Sequence, residues 1–208
     1  MDYFRTQFTQ QMVVDYEHYA NTIDFYALDG NRSFTDNYQL DFSVDPVERF
    51  NITATFRYTN AKIELAGQGL VEKPMTSRFK GVLNLQYATN LNKWIFDFTA
   101  SVNGSCRVYN FMENLKDADG NLLYKGGRTP VYPLLYAQVT RRFKGWDVYI
   151  GAENLTNFTQ KDVVLGHVKN ADGHVIPSQP SFDASCIWGP LMGIKAHIGF
   201  RFTLWKKA

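Results

Sequence analysis

The last stretch of the chain, residues 193–205, constrains the fold most strongly, because its side chains alternate strictly between apolar and polar. Its sequence is GIKAHIGFRFTLW. The apolar positions are Ile194, Ala196, Ile198, Phe200, Phe202 and Leu204, and the opposite face includes Lys195, His197 and Arg201. An ordinary globular strand has about five to six residues, whereas a tilted membrane-spanning strand needs about 9–11. An alternation over about thirteen residues therefore favours a strand that crosses a membrane.

The same period of two recurs through most of the chain and predicts about eight strands. They cover residues 3–14, a stretch from about 23 to 44, 50–58, 79–87, 94–102, about 131–140, 146–153 and 193–205. In the first of them the even-numbered side chains, Phe4 among them, form the apolar face. We therefore predict an all-β protein, a segment of an antiparallel, up-and-down transmembrane β-barrel.

The connections and the aromatic residues support this prediction. Short connections (around 45–50, 88–93 and 141–145) alternate with long ones (around 65–77, 104–130 and 154–192). Aromatic side chains stand at both ends of the apolar faces, as in Phe79 and Tyr87. Both features are typical of outer-membrane barrels, whose strands must pair because lipid offers the backbone no hydrogen-bond partner. A soluble antiparallel meander packed on a core explains the alternation alone, but not the strand length, the aromatic ends or the unequal loops.

Composition excludes several function classes. The net charge of the 208 residues is +2, which suggests no nucleic-acid partner. No run of 18 apolar residues occurs, so no transmembrane helix is predicted.

We find no nucleophile–base pair, phosphate loop or zinc spacing. His167 and His174 are expected to be solvated loop histidines. The chain is therefore not expected to be an enzyme or to carry a cofactor.

Several stretches carry a family resemblance. They are DYFRTQFTQQMVVDYE and FYALDG near the start, the run from residue 38 to 58, GAENLTN at 151–157, and FDASCIWGP at 182–190. Together with the closing strand they resemble the C-terminal part of the barrel of TonB-dependent outer-membrane receptors, especially those of Bacteroidetes-like bacteria. The resemblance covers essentially residues 1–208, in which we find no signal peptide, TonB-box segment or plug domain.

The resemblance implies a fold, a function and a set of partners. The fold would be a 22-stranded barrel with a plugged lumen, to which this chain contributes the C-terminal part. The function would be energised uptake of a scarce nutrient, such as a siderophore, haem, cobalamin or a glycan, across the bacterial outer membrane. The implied partners are outer-membrane lipid, the barrel assembly machinery, the small-molecule or glycan ligand, and TonB with ExbB and ExbD, which are reached through the missing plug.

The resemblance also singles out residues. A barrel insertion signal is matched by His197, Gly199, Phe202 and Leu204. The family-marker segments contribute Glu153, Asn154, Asn157, Phe182, Asp183, Trp188, Gly189 and Pro190. For residues 154–157 we expect a structural role rather than chemistry. Ligand contacts are expected within 66–76, 108–129 and 158–190. Cys106 and Cys186 both lie on the long-loop side and are candidates for an extracellular disulfide.

Two alternatives remain open at this stage. A self-contained eight-stranded barrel with a structural or adhesive role would fill its own interior with side chains. It would require residues 3–14 to pair with residues 193–205. An outer-membrane lipid hydrolase would need a lipid-facing serine near His197, and the sequence offers none on that face.

Overall fold

The computed structural model of the chain describes residues 1–17, 23–28, 32–116, 119–160, 165–169, 175–182 and 184–203. The described residues form thirteen β-strands and four single-turn 3₁₀ segments. The strands are β1 (Asp2–Gln7), β2 (Gln11–Asp15), β3 (Asp24–Leu28), β4 (Phe34–Val47), β5 (Phe50–Leu65), β6 (Gly69–Glu72), β7 (Phe79–Ala88), β8 (Trp94–Asn103), β9 (Tyr132–Arg142), β10 (Trp146–Glu153), β11 (Leu165–Lys169), β12 (Val175–Phe182) and β13 (Lys195–Phe202). None of the described helical segments is long and apolar enough to cross a membrane.

One large antiparallel sheet contains most of these strands. Its order is β1-β4-β5-β7-β8-β9-β10-β13. β6 is a ninth strand, which pairs with the C-terminal end of β5 at residues 62–65. Each strand of the main path therefore lies beside the next one in the chain, apart from the inserted β6 and the inserted hairpins β2–β3 and β11–β12. This is the predicted up-and-down antiparallel arrangement, with eight strands in its path.

The strand register confirms the predicted apolar face. Phe56 lies opposite Gly81, Leu85 opposite Phe98, and Ile150 opposite Ile198. This face is uncovered in the described structure: Ile150 is 59% exposed, Ile198 77% and Phe98 36%. The fully buried hydrophobic side chains, such as Val13, Val108, Met112 and Cys186, lie instead in the long connections and the hairpins beside them.

The first predicted strand is wrong in two respects. Residues 3–14 form two strands, because the chain leaves the sheet after β1 and turns into the β2–β3 hairpin. The register also places Phe4 opposite Asn37, on the polar face, while Tyr3 lies opposite Tyr38 on the apolar side. Residues 9–11 are all polar, and we expected them to lie within one long strand with a weakly apolar face rather than at the point where the chain changes direction.

Other strand bounds also differ from the prediction. β4 continues to Val47, past Asp45-Pro46, through a register shift between Val44 and Val47 that accommodates the proline. β5 extends to Leu65, and β6 forms within residues 66–76, which we expected to be a loop. A hairpin, β11–β12, lies within the longest predicted connection. The closing strand spans eight residues, and Leu204 and Trp205 lie outside the described residues.

Candidate functional site

The long connections form a packed layer at one end of the sheet. Its centre is a buried cluster of Val108, Met112, Tyr124 and Cys186, and the partly buried side chains around it are Met75, Tyr109, Phe111, Leu115, Leu123 and Trp188. A turn at Asp119-Gly120 lies here, since Lys116 and Leu122 form an antiparallel bridge and Gly120 has a φ of 83°. Two of the predicted ligand stretches, 66–76 and 108–129, therefore contact each other in one layer.

Asn154 shapes the first marker segment. The residue has a φ of 53° and is only 6% exposed. Its Nδ2 donates to the carbonyls of Phe158 (2.7 Å) and Met192 (3.0 Å), and its Oδ1 accepts from the Phe158 amide (3.1 Å) and the Thr156 hydroxyl (3.0 Å). Asparagine tolerates this left-handed conformation better than other side chains do. The observed role is thus structural, a turn closed by side-chain hydrogen bonds.

Asn157 joins the first marker segment to the start of the closing strand. It has a φ of 52°, and its Oδ1 accepts a hydrogen bond from the Ile194 amide at 3.2 Å. A Cβ atom at Gly193 would overlap the same oxygen. Glycine at 193 therefore lets the backbone approach the Asn157 side chain.

Gln160 organises the second marker segment, and the sequence analysis did not identify it. Its Oε1 accepts from the amides of Trp188 (3.0 Å) and Gly189 (3.2 Å), while its Nε2 donates to the Cys186 carbonyl (3.2 Å). Its own amide donates to the Pro190 carbonyl at 2.8 Å. The side chain is 3% exposed. A glutamine between two predicted strands carries no pattern that distinguishes it, so only the folded chain reveals this role.

A cleft of about 350 Å³ lies where the two marker segments meet. It is lined by Leu123, Tyr124, Pro130, Thr156, Asn157, Phe158, Thr159 and Trp188. The Phe158 ring stacks on Tyr132 with centroids 4.6 Å apart, and Trp188 Nε1 donates to the Tyr124 hydroxyl at 3.2 Å. The Thr159 hydroxyl and Asn157 Nδ2 have no hydrogen-bond partner among the described residues, so aromatic faces and unused polar groups line the same space.

A pair of arginines holds Glu72 at the end of β6. Arg78 Nε and Nη2 donate to its two carboxylate oxygens at 3.0 and 2.6 Å, and Arg128 Nη1 and Nη2 do so at 3.0 Å each. Burial acts to raise the pKa of the Glu72 carboxyl, but the hydrogen bonds and charges of both arginines outweigh burial and lower that pKa to about 2. Glu72 therefore ties β6 to the segment before β7 and to residue 128.

A second ion pair ties the β2–β3 hairpin to the same layer. Arg107 Nη2 donates to Glu17 Oε2 at 3.0 Å, and the Asn110 amide donates to the same oxygen at 3.0 Å. Glu17 Oε1 makes no hydrogen bond of good geometry and is held by charge at 2.8 Å from Arg107 Nη1. The Glu17 side chain is 1% exposed, and Arg107 also donates to the Glu72 carbonyl at 3.1 Å. The hairpin, β6 and the segment at 107–110 thus share one charged cluster.

The two cysteines, which are candidates for a disulfide, are free thiols in this structure. Cys106 Sγ lies 3.3 Å from the Thr129 hydroxyl, and burial raises the pKa of its thiol. Cys186 is fully buried in the Met112 cluster, with the Ser185 hydroxyl 3.8 Å from its sulfur. Each sulfur thus contacts a neighbouring hydroxyl group, and no disulfide joins the two cysteines.

The insertion-signal residues have packing roles in the sheet. The His197 ring lies over Gly151, where a Cβ would come within 2.6 Å of Nε2, and Nε2 is 3.4 Å from Gln138 Oε1. Gly199 lies beneath the Tyr149 ring, which a Cβ atom would overlap. Phe202 is 62% exposed on the apolar face. Leu204 lies outside the described residues, and the insertion role of all four stays a prediction.

The remaining marker residues have no contact that indicates chemistry. Glu153 lies opposite Lys195, with 3.8 Å between the carboxylate and the ammonium group. Trp188, Gly189 and Pro190 form the segment held by Gln160. Asp183 and the side chain of Phe182 lie outside what the structure describes. Within the described residues, no group of three or more His, Cys, Asp or Glu side chains could hold a metal ion.

Comparisons with known proteins find similar structures but no matching family. No protein-family model matches it, and a search of curated proteins returns no match. The ferric-catecholate import receptor Fiu from E. coli K12, in its closed form, superposes with a TM-score of 0.47 at 18% identity, over 73% of this chain and 20% of that one. BauA, the ferric preacinetobactin receptor from Acinetobacter baumannii, superposes with a TM-score of 0.45 at 12% identity, over 86% and 24%.

This chain therefore spans about a fifth to a quarter of the length of those two receptors. Both TM-scores are below 0.5.

Proposed function

We propose that this chain forms part of the wall and outer loops of an outer-membrane receptor that imports a small ligand. The observation that carries the proposal is the exposed apolar face, which runs in register across the strands from β4 to β13 while the opposite face is polar. A soluble sheet buries such a face against a second layer, and no second layer covers it in the described structure. Lipid is the solvent that this face fits.

The two ends of the sheet give the orientation. The connections after β4, β7 and β9 are short, whereas those after β8 and β10 are long and folded into the packed layer. Outer-membrane barrels have short periplasmic turns and longer extracellular loops. The packed layer and its aromatic cleft would therefore face the outside of the cell, where a ligand arrives.

The ligand would bind in the cleft without covalent chemistry. Trp188, Phe158 and Tyr124 offer aromatic faces, and Thr159 and Asn157 offer hydrogen bonds. Ferric siderophores, haem, cobalamin and glycans are the ligand classes to test. Coupling to TonB, ExbB and ExbD through a plug, and delivery by the barrel assembly machinery, belong to the same proposal.

The self-contained eight-stranded barrel receives no support from the strand pairing. It requires a ladder between β1 and β13, but in the described residues β1 pairs with β4 and β13 with β10, at opposite ends of the path. Further strands of a larger barrel would satisfy both edges, as lipid requires.

The experiment that tests the proposal measures uptake in a Gram-negative host. The full receptor gene that encodes this chain together with its plug is expressed in strains with and without functional TonB, and accumulation of a labelled ferric catecholate siderophore, haemin, cyanocobalamin and a maltooligosaccharide is compared. We expect the protein in the outer-membrane fraction, uptake of one probe class only when TonB is functional, and loss of that uptake in Trp188→Ala. Recovery of the folded protein in the soluble fraction would contradict the proposal.

A further inference from the structure

An arginine lies on the apolar face of the sheet, at the end that carries the short turns. Arg141 is in register with Trp94 on one side and Val148 on the other, both of which belong to the apolar face. The next residue, Arg142, points to the opposite face and forms an ion pair with Asp147 at 3.4 Å. Arg141 has no carboxylate partner among the described residues.

Aromatic rings hold the Arg141 side chain in place. Its guanidinium carbon is 4.8 Å from the centroid of the Trp94 ring and 5.3 Å from that of Phe143. Both distances are within the range of a cation–π interaction. Contacts of this kind use the face of the guanidinium group and leave its N–H donors free to bind an anion in two-pronged geometry.

The surroundings of Arg141 are cationic on one side and apolar on the other. Lys93 and Lys144 lie in the two adjacent turns, are exposed, and have no carboxylate partner in the described structure. One same-face position further along the strands, Val139 lies opposite Phe96. A ligand of this site therefore needs an anionic group joined to an apolar chain.

We propose that Arg141, with Trp94 and Phe143 beside it, binds the phosphate of an anionic phospholipid in the inner leaflet of the outer membrane. The lipid phosphate would accept hydrogen bonds from the guanidinium group, and its acyl chain would lie along Val139 and Phe96. A bilayer phospholipid fits better than free phosphate, because the site opens onto the apolar face. This inference rests on the proposed membrane orientation.

Native mass spectrometry of the full chain, purified in detergent, tests the site. Phosphatidylglycerol and phosphatidylcholine with identical acyl chains are added in equal amounts, and the retained lipids are counted. A basic side chain near a membrane surface strengthens binding of anionic lipid by about fivefold. We expect a preference of about that size for phosphatidylglycerol, which Arg141→Gln abolishes. Arg142→Gln, which removes the same charge from the opposite face, should retain it.

Two results would overturn the lipid site. One is an absence of preference in the unmodified protein, and the other is an equal loss in both variants, which would indicate a nonspecific effect of net charge. A separate measurement in vesicles tests the orientation itself. Lipids brominated near the headgroup are used to quench tryptophan fluorescence, and the Trp94 signal is the difference between the unmodified protein and Trp94→Phe. Quenching without lipid preference refutes only the phosphate site, whereas no quenching refutes the membrane placement as well.

Discussion

At the scale of single residues, Gln160 makes the sharpest prediction. Replacing it by leucine leaves the buried amides of Trp188 and Gly189 without an acceptor, and each unsatisfied buried group costs about 1–3 kcal/mol. We expect Gln160→Leu to lower the free energy of unfolding by about 2–4 kcal/mol, measured by urea denaturation in detergent. Gln86→Leu is the matched control, because that glutamine is exposed and bonds only Asp97, so a comparable loss there would contradict the assigned role.

The glycine beneath Tyr149 makes a second prediction. A methyl group at position 199 would overlap the tyrosine ring, so Gly199→Ala should lower the free energy of unfolding by about 1–3 kcal/mol. The double variant Gly199→Ala with Tyr149→Ala removes the overlap and should be less destabilised than the sum of the two single variants. Additive effects in this double-mutant cycle would show that the two residues do not interact.

Residue roles were predictable from the sequence only where a local pattern fixes them. Alternation placed Ile198 and Phe200 on the apolar face correctly, because a strand has a side-chain period of two. The structural role expected for residues 154–157 stays a prediction, and the hydrogen bonds of the Asn154 side chain are consistent with it. The roles of Gln160 and Arg107 were not predicted, because their partners lie between 3 and 90 residues away and no spacing in the sequence indicates such contacts.

At the scale of elements, the Glu72 cluster predicts a pH dependence. The pKa of Glu72 in the folded chain, about 2, lies below the value of 4.5 for an unperturbed glutamate. The ionised carboxylate therefore stabilises the fold above about pH 4.5, and this contribution is lost as the pH falls from 4.5 towards 2. We expect about 2 kcal/mol from this site, because its arginine partners remain partly solvated.

Urea denaturation between pH 2 and 6 measures that contribution. The slope of unfolding free energy against pH should be smaller in Glu72→Gln than in the unmodified chain. Glu153→Gln provides the control, since Glu153 is half exposed and lies 3.8 Å from Lys195. Equal slopes in Glu72→Gln and the unmodified chain would contradict the assignment of the low pKa to the two arginines.

Elements were predicted best where one face of a strand is uniformly apolar. β7, β8 and β10 begin where the alternation begins, because each carries an unbroken apolar stripe. β6 was taken for a loop because Gly67 and Gly69 suggest a break, whereas their φ values of 76° and 72° serve a tight hairpin. Short strands of this kind depend on a neighbour for their hydrogen bonds, and a periodic pattern does not reveal the neighbour.

At the scale of the whole molecule, the free-energy cost of a lysine on the exposed apolar face should depend on its depth in the bilayer. A lysine on the lipid-facing side of an outer-membrane barrel costs about 2–4 kcal/mol at the midplane and about 0–1 near the interfaces. Ile150 lies in the middle of the band, opposite Ile198, whereas Phe202 lies opposite Trp146 at the aromatic end. Ile150→Lys should therefore be destabilised by about 2–4 kcal/mol in lipid vesicles, and Phe202→Lys by less than about 1.

The opposite face supplies the control for this gradient. Gln86→Lys places the same charge beside Asp97 on the polar side, where a water-filled or plugged lumen tolerates it, and little change is expected. In a soluble protein that buries this face against another layer, the loss of stability caused by each lysine would depend on how tightly the site is packed. It would not depend on the distance of the site from the aromatic ends. Equal losses for Ile150→Lys and Phe202→Lys would thus contradict the bilayer, because depth is the variable that separates those two positions.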